Sequence, residues 1–149
     1  MKHIKYIVIL IPLILSLTVN AKINIKPKTD KEIYKLMVGS WVVDPIDPTY
    51  NNSGGAISTY HLDGRVSFEQ FKDIACKVPF FSTKAKWNIS NKKLLIKVLS
   101  STRPDLHPAG LIVADKVINI NNKSAVLKPT RGKLQYRIRS NKCIVKNEI

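Results

Sequence analysis

The sequence predicts an all-β domain in which eight antiparallel strands form an up-and-down barrel behind one short helix. Apolar and polar residues alternate with a period of two over several segments, as half-buried strands require. Short turn signals such as Asp63-Gly64 and Asn91-Lys92 separate these segments, which favours neighbouring antiparallel strands. Eight such strands can close into a barrel that holds side chains or one small ligand. An open sandwich of the same strands is the structural alternative.

The helix is predicted from a capping pattern followed by apolar residues at helical spacing. Thr29 and Glu32 form a T-x-x-E capping box, and Ile33 and Met37 follow on one face. The helix should span about two turns and end at Gly39, because glycine readily adopts the conformation that terminates helices. A helix this short is not stable alone, so its apolar side should cover another part of the domain.

The strands are predicted from alternation and from the turn residues between them. In the fourth strand, Ala85 and Trp87 share one face, whereas Lys84 and Lys86 share the other. The eight predicted strands are 40–44, 56–61, 65–72, 80–90, 93–100, 111–120, 124–128 and 133–139.

Residues 1–21 have the pattern of a secretory signal peptide. Lys2 and Lys5 precede an apolar run, and Ala21 ends a stretch of small residues suited to cleavage. A transmembrane anchor is the alternative, but the apolar run is shorter than the about 20 residues that a span needs. The chain is therefore expected to be exported to the periplasm or secreted, and not to span the membrane. The predicted division is a signal peptide at 1–21, a basic leader at 22–29, a barrel domain at 30–140 and a C-terminal tail at 141–149.

Two cysteines follow the predicted cleavage site, Cys76 and Cys143. An even count in an oxidising compartment favours one disulfide between them. Cys76 has no cysteine or histidine at ligand spacing, so neither a metal site nor a cofactor is expected.

The chain is strongly basic, with a formal net charge of +15. Two of its lysines lie in the predicted signal peptide. For an exported protein, this charge suggests an anionic envelope surface as a partner, the alternative being a solvated surface with no partner. Nucleic acid is not expected, because the chain is exported and Trp87 should point away from Lys84 and Lys86.

Four segments carry a resemblance to a known family. They are VGSW at 38–41, STYHLDGRV at 58–66, KWNISNKKLLIKV at 86–98 and LQYRIRS at 134–140. In this order they resemble the small exported bacterial lipocalin-like domains of the calycin superfamily. The resemblance implies that Gly39 and Trp41 have structural roles at the closed end of a barrel. It also implies that a basic residue of the last strand packs over Trp41, with Arg137 as the first candidate and Arg139 as the second.

The expected function is the binding of a small apolar or amphiphilic ligand. An anionic lipid-like molecule would be one ligand of this kind. Pockets of this kind are mostly apolar with a few placed polar groups. The alternative is a protein-interaction module with a filled barrel, acting as an inhibitor, immunity protein or assembly factor. Catalysis is not expected, because His61 and His107 lie in no recognisable nucleophile–base pattern. The candidate ligand-binding residues are Tyr60, Phe68, Trp87, Ile89, Ile96 and Tyr136 inside the barrel and His107 at its rim.

Overall fold

The computed structural model describes residues 27–44 and 54–143. It contains the predicted helix and the eight predicted strands in the predicted order, with ends that differ by at most two residues. The predicted signal peptide, residues 22–26 of the leader and residues 144–149 of the tail lie outside the described residues. The elements are α1 (Asp30–Met37), β1 (Gly39–Val43), β2 (Ala56–Tyr60), β3 (Arg65–Phe71), β4 (Pro79–Ser90), β5 (Lys93–Ser101), β6 (Ile112–Ile120), β7 (Ser124–Pro129) and β8 (Gln135–Arg139).

The eight strands form a closed antiparallel barrel in which each strand pairs with the next along the chain. The first and last strands complete the closure, with Trp41 opposite Arg139 and Val42 opposite Ile138. Closure pairs every strand on both sides, so the sheet has no open edge for another chain to join. The closed barrel confirms the predicted fold class and excludes the sandwich.

The helix α1 closes one end of the barrel. Its capping box is formed, since the Thr29 amide donates to Glu32 Oε2 at 2.7 Å and the Thr29 hydroxyl accepts from the Glu32 amide. Ile33 and Met37 are buried against the barrel interior. The Asp30 carboxylate accepts from the amides of Asn91 and Lys92, at 2.8 and 2.9 Å, which ties the helix to the β4–β5 turn. Within the described ranges, no helix is long and apolar enough to cross a bilayer.

The half of the barrel next to α1 is filled by apolar side chains. Trp87 is buried there, stacks on Tyr34 with ring centroids 4.2 Å apart, and donates from Nε1 to the His61 carbonyl at 3.0 Å. Ile89 belongs to the same buried cluster. The remaining members include Ile33, Met37, Leu94, Val117, Ile120 and Ala125.

The predicted disulfide between Cys76 and Cys143 is formed and spans 67 positions of the chain. It joins the β3–β4 loop to the segment that follows β8. Gly55 packs directly against both sulfur atoms, so a Cβ at this position would collide with Cys76 Sγ. The disulfide therefore favours a glycine at this position before β2.

Candidate functional site

A cavity of about 210 Å³ lies inside the barrel, between the packed end and the β5–β6 loop. Met37 and Trp41 form its floor, and His107 and Leu111 approach it from the loop side. Most of its wall is apolar, with polar side chains contributed by several strands. The wall includes Ser58, Tyr60, Val66, Phe68, Thr83, Ala85, Ile96, Val98, Val113, Asp115, Ala125, Leu127, Gln135 and Arg137.

The predicted ligand-binding residues divide into three groups in the structure. The cavity wall contains four of them, which are Tyr60, Phe68, Ile96 and His107. Trp87 and Ile89 face inward as expected but lie in the packed cluster, outside the cavity wall. Tyr136 lies between the cavity-lining residues Gln135 and Arg137, and therefore on the outer face of β8. The prediction that Tyr136 faces inward is thus wrong. A shift of one residue moves every side chain of a strand to the opposite face of the sheet.

Arg137 is the cation of the cavity wall. Its Nη2 donates to Gln135 Oε1 at 2.9 Å, which holds the guanidinium against β8. Tyr60 lines the same cavity, and burial raises its pKa to about 12, with Arg137 opposing this rise and Asp115 adding to it. Tyr60 is therefore a neutral hydroxyl at physiological pH and can donate a hydrogen bond into the cavity.

Asp115 is a cavity residue that the sequence reasoning missed. It lies within β6 with 6% of its surface exposed. Burial raises its pKa, and the nearby Arg137 charge opposes this shift. The signal was present in the sequence, because Asp115 lies two residues from Val113 and two from Val117, and therefore on the same inward face of the strand. The same alternation places Ser58 and Thr83 on the inward face, because they lie two residues before the inward residues Tyr60 and Ala85.

His107 covers the cavity from the β5–β6 loop. Its Nδ1 forms a hydrogen bond with Thr83 Oγ1 at 3.0 Å. Its ring lies 5.0 Å from that of Phe81 and 5.7 Å from that of Phe68, measured between centroids. Burial lowers the pKa of His107, so the folded protein favours the neutral imidazole.

The lowered pKa of His107 predicts that the protein loses stability as the pH falls. The unfolded state takes up this proton near the ordinary histidine pKa of 6.5, while the folded state resists it. Unfolding in urea at pH 7 and pH 5 should therefore show a larger loss of stability for the native chain than for His107→Gln. His61 is exposed and common to both proteins, so it cancels in the comparison. Equal losses in the two proteins would show that His107 does not couple folding to pH.

Trp41 is held at the closed end by the last strand and by α1. The Arg139 guanidinium lies over its ring, 4.4 Å from the centroid, and donates to the carbonyls of Leu36, Val38 and Asn122. Trp41 Nε1 donates to the Met37 carbonyl at 2.7 Å. The residue over the indole is therefore Arg139, the second candidate, while Arg137 points into the cavity two positions earlier.

Gly39 makes this arrangement possible. Its φ of +116° lies in a region that other residues rarely adopt, and an added Cβ would collide with Arg139 Nη1. The G-x-W pattern therefore has a direct physical cause, since Gly39 leaves space for the arginine that covers Trp41.

The fold and the cavity define the class of protein. The chain forms a closed up-and-down barrel of eight strands, preceded by a short helix. An arginine of the last strand covers the tryptophan of the first strand. Together these features define a lipocalin-like fold. No family model matches the chain, and no curated protein matches it in sequence. Among solved structures, it is similar to a lipocalin-like protein from Bacteroides uniformis, with 12% identity and a TM-score of 0.48 over 70% of this chain and 99% of that one. The barrel's own topology, and not this distant similarity, defines the fold.

Proposed function

We propose that the protein is an exported, non-enzymatic binding protein that holds one small amphiphilic molecule with an anionic head group. The observation that carries this proposal is the cavity, which combines an apolar wall with the guanidinium of Arg137. Its polar side chains, above all Tyr60 and Arg137, suit the recognition of an anion rather than the activation of a nucleophile.

The size of the cavity limits the ligand. An apolar cavity of about 150 Å³ accepts benzene, so the 210 Å³ found here suits a molecule of about eight or nine non-hydrogen atoms. A small ring or a short branched chain fits this space, whereas the long acyl chain of a membrane lipid does not fit inside it. The alternative of a completely filled barrel is disfavoured, because this volume is far larger than one or two water molecules need.

The hydrogen-bond donors of the cavity wall favour an anionic head group. Arg137 keeps its charge at every physiological pH. Asp115 is the one carboxylate that lines the cavity wall; burial raises its pKa, and the Arg137 charge opposes this rise. A ligand carboxylate could accept hydrogen bonds from both the Arg137 guanidinium and the Tyr60 hydroxyl.

The proposed export has two sources of support. The pattern at 1–21 is typical of a secretory signal peptide. The disulfide between Cys76 and Cys143 is of a kind that persists mainly in oxidising compartments.

Native mass spectrometry of the mature protein, purified from its source compartment, tests the proposed function. We expect one small acid bound per protein, recovered by organic extraction. The substitution Ala125→Leu fills the cavity and should abolish the adduct, whereas Ala114→Leu on the outer face of β6 should retain it. The proposal fails if the native protein carries no adduct and takes up no small carboxylate, or if the Ala125→Leu protein retains the ligand.

A further inference from the structure

The outer surface of the barrel carries six basic side chains in two rows that run across neighbouring strands. In the first row, Arg65 on β3 pairs with Lys86 on β4, which pairs with Lys97 on β5. In the second row, Lys93 on β5 pairs with Lys116 on β6, which pairs with Lys128 on β7. All six side chains are exposed, and we refer to them as the two basic rows.

The two basic rows are unfavourable for the isolated fold. Neighbouring strands lie about 4.8 Å apart, and like charges directly opposite one another destabilise a sheet. The ion pairs within 27–44 and 54–143 join Asp63 to Arg65 and Arg103 to Asp105, so Asp63 compensates Arg65, whereas the five lysines of the rows take part in neither pair. A negatively charged partner would relieve the three opposed lysine pairs, which are Lys86 with Lys97, Lys93 with Lys116 and Lys116 with Lys128.

The same face presents aliphatic side chains between and beside the rows. Leu95 and Ala114 pair with each other between them. Ile112 is 65% exposed and lies directly opposite Lys97, and Leu99 is 47% exposed on the neighbouring strand. Leu99 and Ile112 flank the β5–β6 loop that carries His107, so the apolar part of this face adjoins the covered end of the cavity.

We propose that this face docks the protein on an anionic phospholipid surface. Lysines attract the lipid phosphates, and exposed aliphatic side chains between them can enter the boundary of the acyl chains. A protein surface that binds nucleic acid would instead present aromatic side chains between the cations, where bases could stack on them. Here Leu95 and Ala114 occupy that position. The inference does not depend on which molecule occupies the cavity.

Binding of the mature chain, residues 22–149, to vesicles tests the charge of this face. The protein should bind vesicles that contain equal parts of phosphatidylglycerol and phosphatidylcholine, should not bind phosphatidylcholine alone, and should be released by salt. Each lysine near an anionic surface contributes roughly a fivefold gain in partitioning. The double substitution Lys86→Gln and Lys116→Gln should therefore weaken binding about twentyfold. The matched control, Lys31→Gln with Lys123→Gln, removes the same charge from exposed positions off the face and should weaken binding by less than about threefold.

The aliphatic contribution is tested by a second pair of variants. Ile112→Gln should weaken vesicle binding roughly tenfold, because it removes apolar surface that the bilayer would bury. Leu62→Gln changes a side chain of similar exposure, 72%, in the β2–β3 turn and should have no effect. The Lys86→Gln, Lys116→Gln protein should melt no lower than the native chain, since it loses only repulsive pairs. Equal losses in the two double variants, or binding to dextran sulfate or DNA without binding to vesicles, would overturn the proposal.

Discussion

Replacement of Trp41 by alanine should lower the free energy of unfolding by about 4 kcal/mol, because it removes a large buried side chain that the barrel cannot refill. Only 2% of Trp41 is exposed. Its loss would leave the Met37 carbonyl without the indole donor and the Arg139 guanidinium without the ring beneath it. The expected result is a protein that unfolds at much lower urea concentration, since a typical domain has only about 5–15 kcal/mol in total.

Two further variants separate the contributions at this end of the barrel. Trp41→Phe retains an aromatic ring under Arg139 but loses the Nε1 hydrogen bond, so it should cost less than half as much as alanine. Arg139→Lys keeps the charge but cannot reach the carbonyls of Leu36, Val38 and Asn122 together, so it should also destabilise the fold. Urea unfolding followed by circular dichroism measures all three proteins. A Trp41→Ala protein as stable as the native chain would contradict the structural role of Trp41 at the closed end of the barrel.

The course of the chain was predictable because its local signals agree with one another. The capping box at Thr29 and Glu32 defined the helix, and the turn at Asp63-Gly64 defined a hairpin. On β4, alternation placed Ala85, Trp87 and Ile89 inside, where the structure has them. Each of these predictions depends on residues that are close in sequence, where periodicity and turn chemistry are informative.

The position of the cavity was not predictable from the same signals. Alternation says that Trp87 and Phe68 both face inward, but not how deep each lies in the barrel. Depth depends on the stagger of all eight strands and on how far α1 fills one end. Trp87 therefore lies in the packed half, while Phe68 lines the cavity.

The last strand was misread because its inward face is the basic one. Tyr136 and Ile138 resembled core residues, whereas Arg137 and Arg139 resembled surface residues. Both arginines face inward because each has a role there, Arg139 over Trp41 and Arg137 at the cavity wall. Hydrophobicity predicts the inward face only where the interior is apolar, and polar side chains in the cavity wall break that rule.

Replacement of Arg137 by glutamine should weaken the binding of a small carboxylate more than a hundredfold. Removing one partner of a buried ion pair leaves the other charge uncompensated, at a cost of about 3–5 kcal/mol. Arg137→Lys should retain part of the affinity, because it keeps the charge but loses the bidentate geometry. Arg131→Gln changes an exposed arginine in the β7–β8 turn and should leave binding unchanged.

The most direct test of the central claim is calorimetric titration of the ligand-free native protein with benzoate and with benzamide. The two probes have nearly the same shape and both fit the size of the cavity, but only benzoate carries a charge. We expect one site per protein, a clear preference for benzoate over benzamide, and loss of that preference in Arg137→Gln. Equal affinity for both probes, or no binding of either one to the native protein, would contradict the central claim.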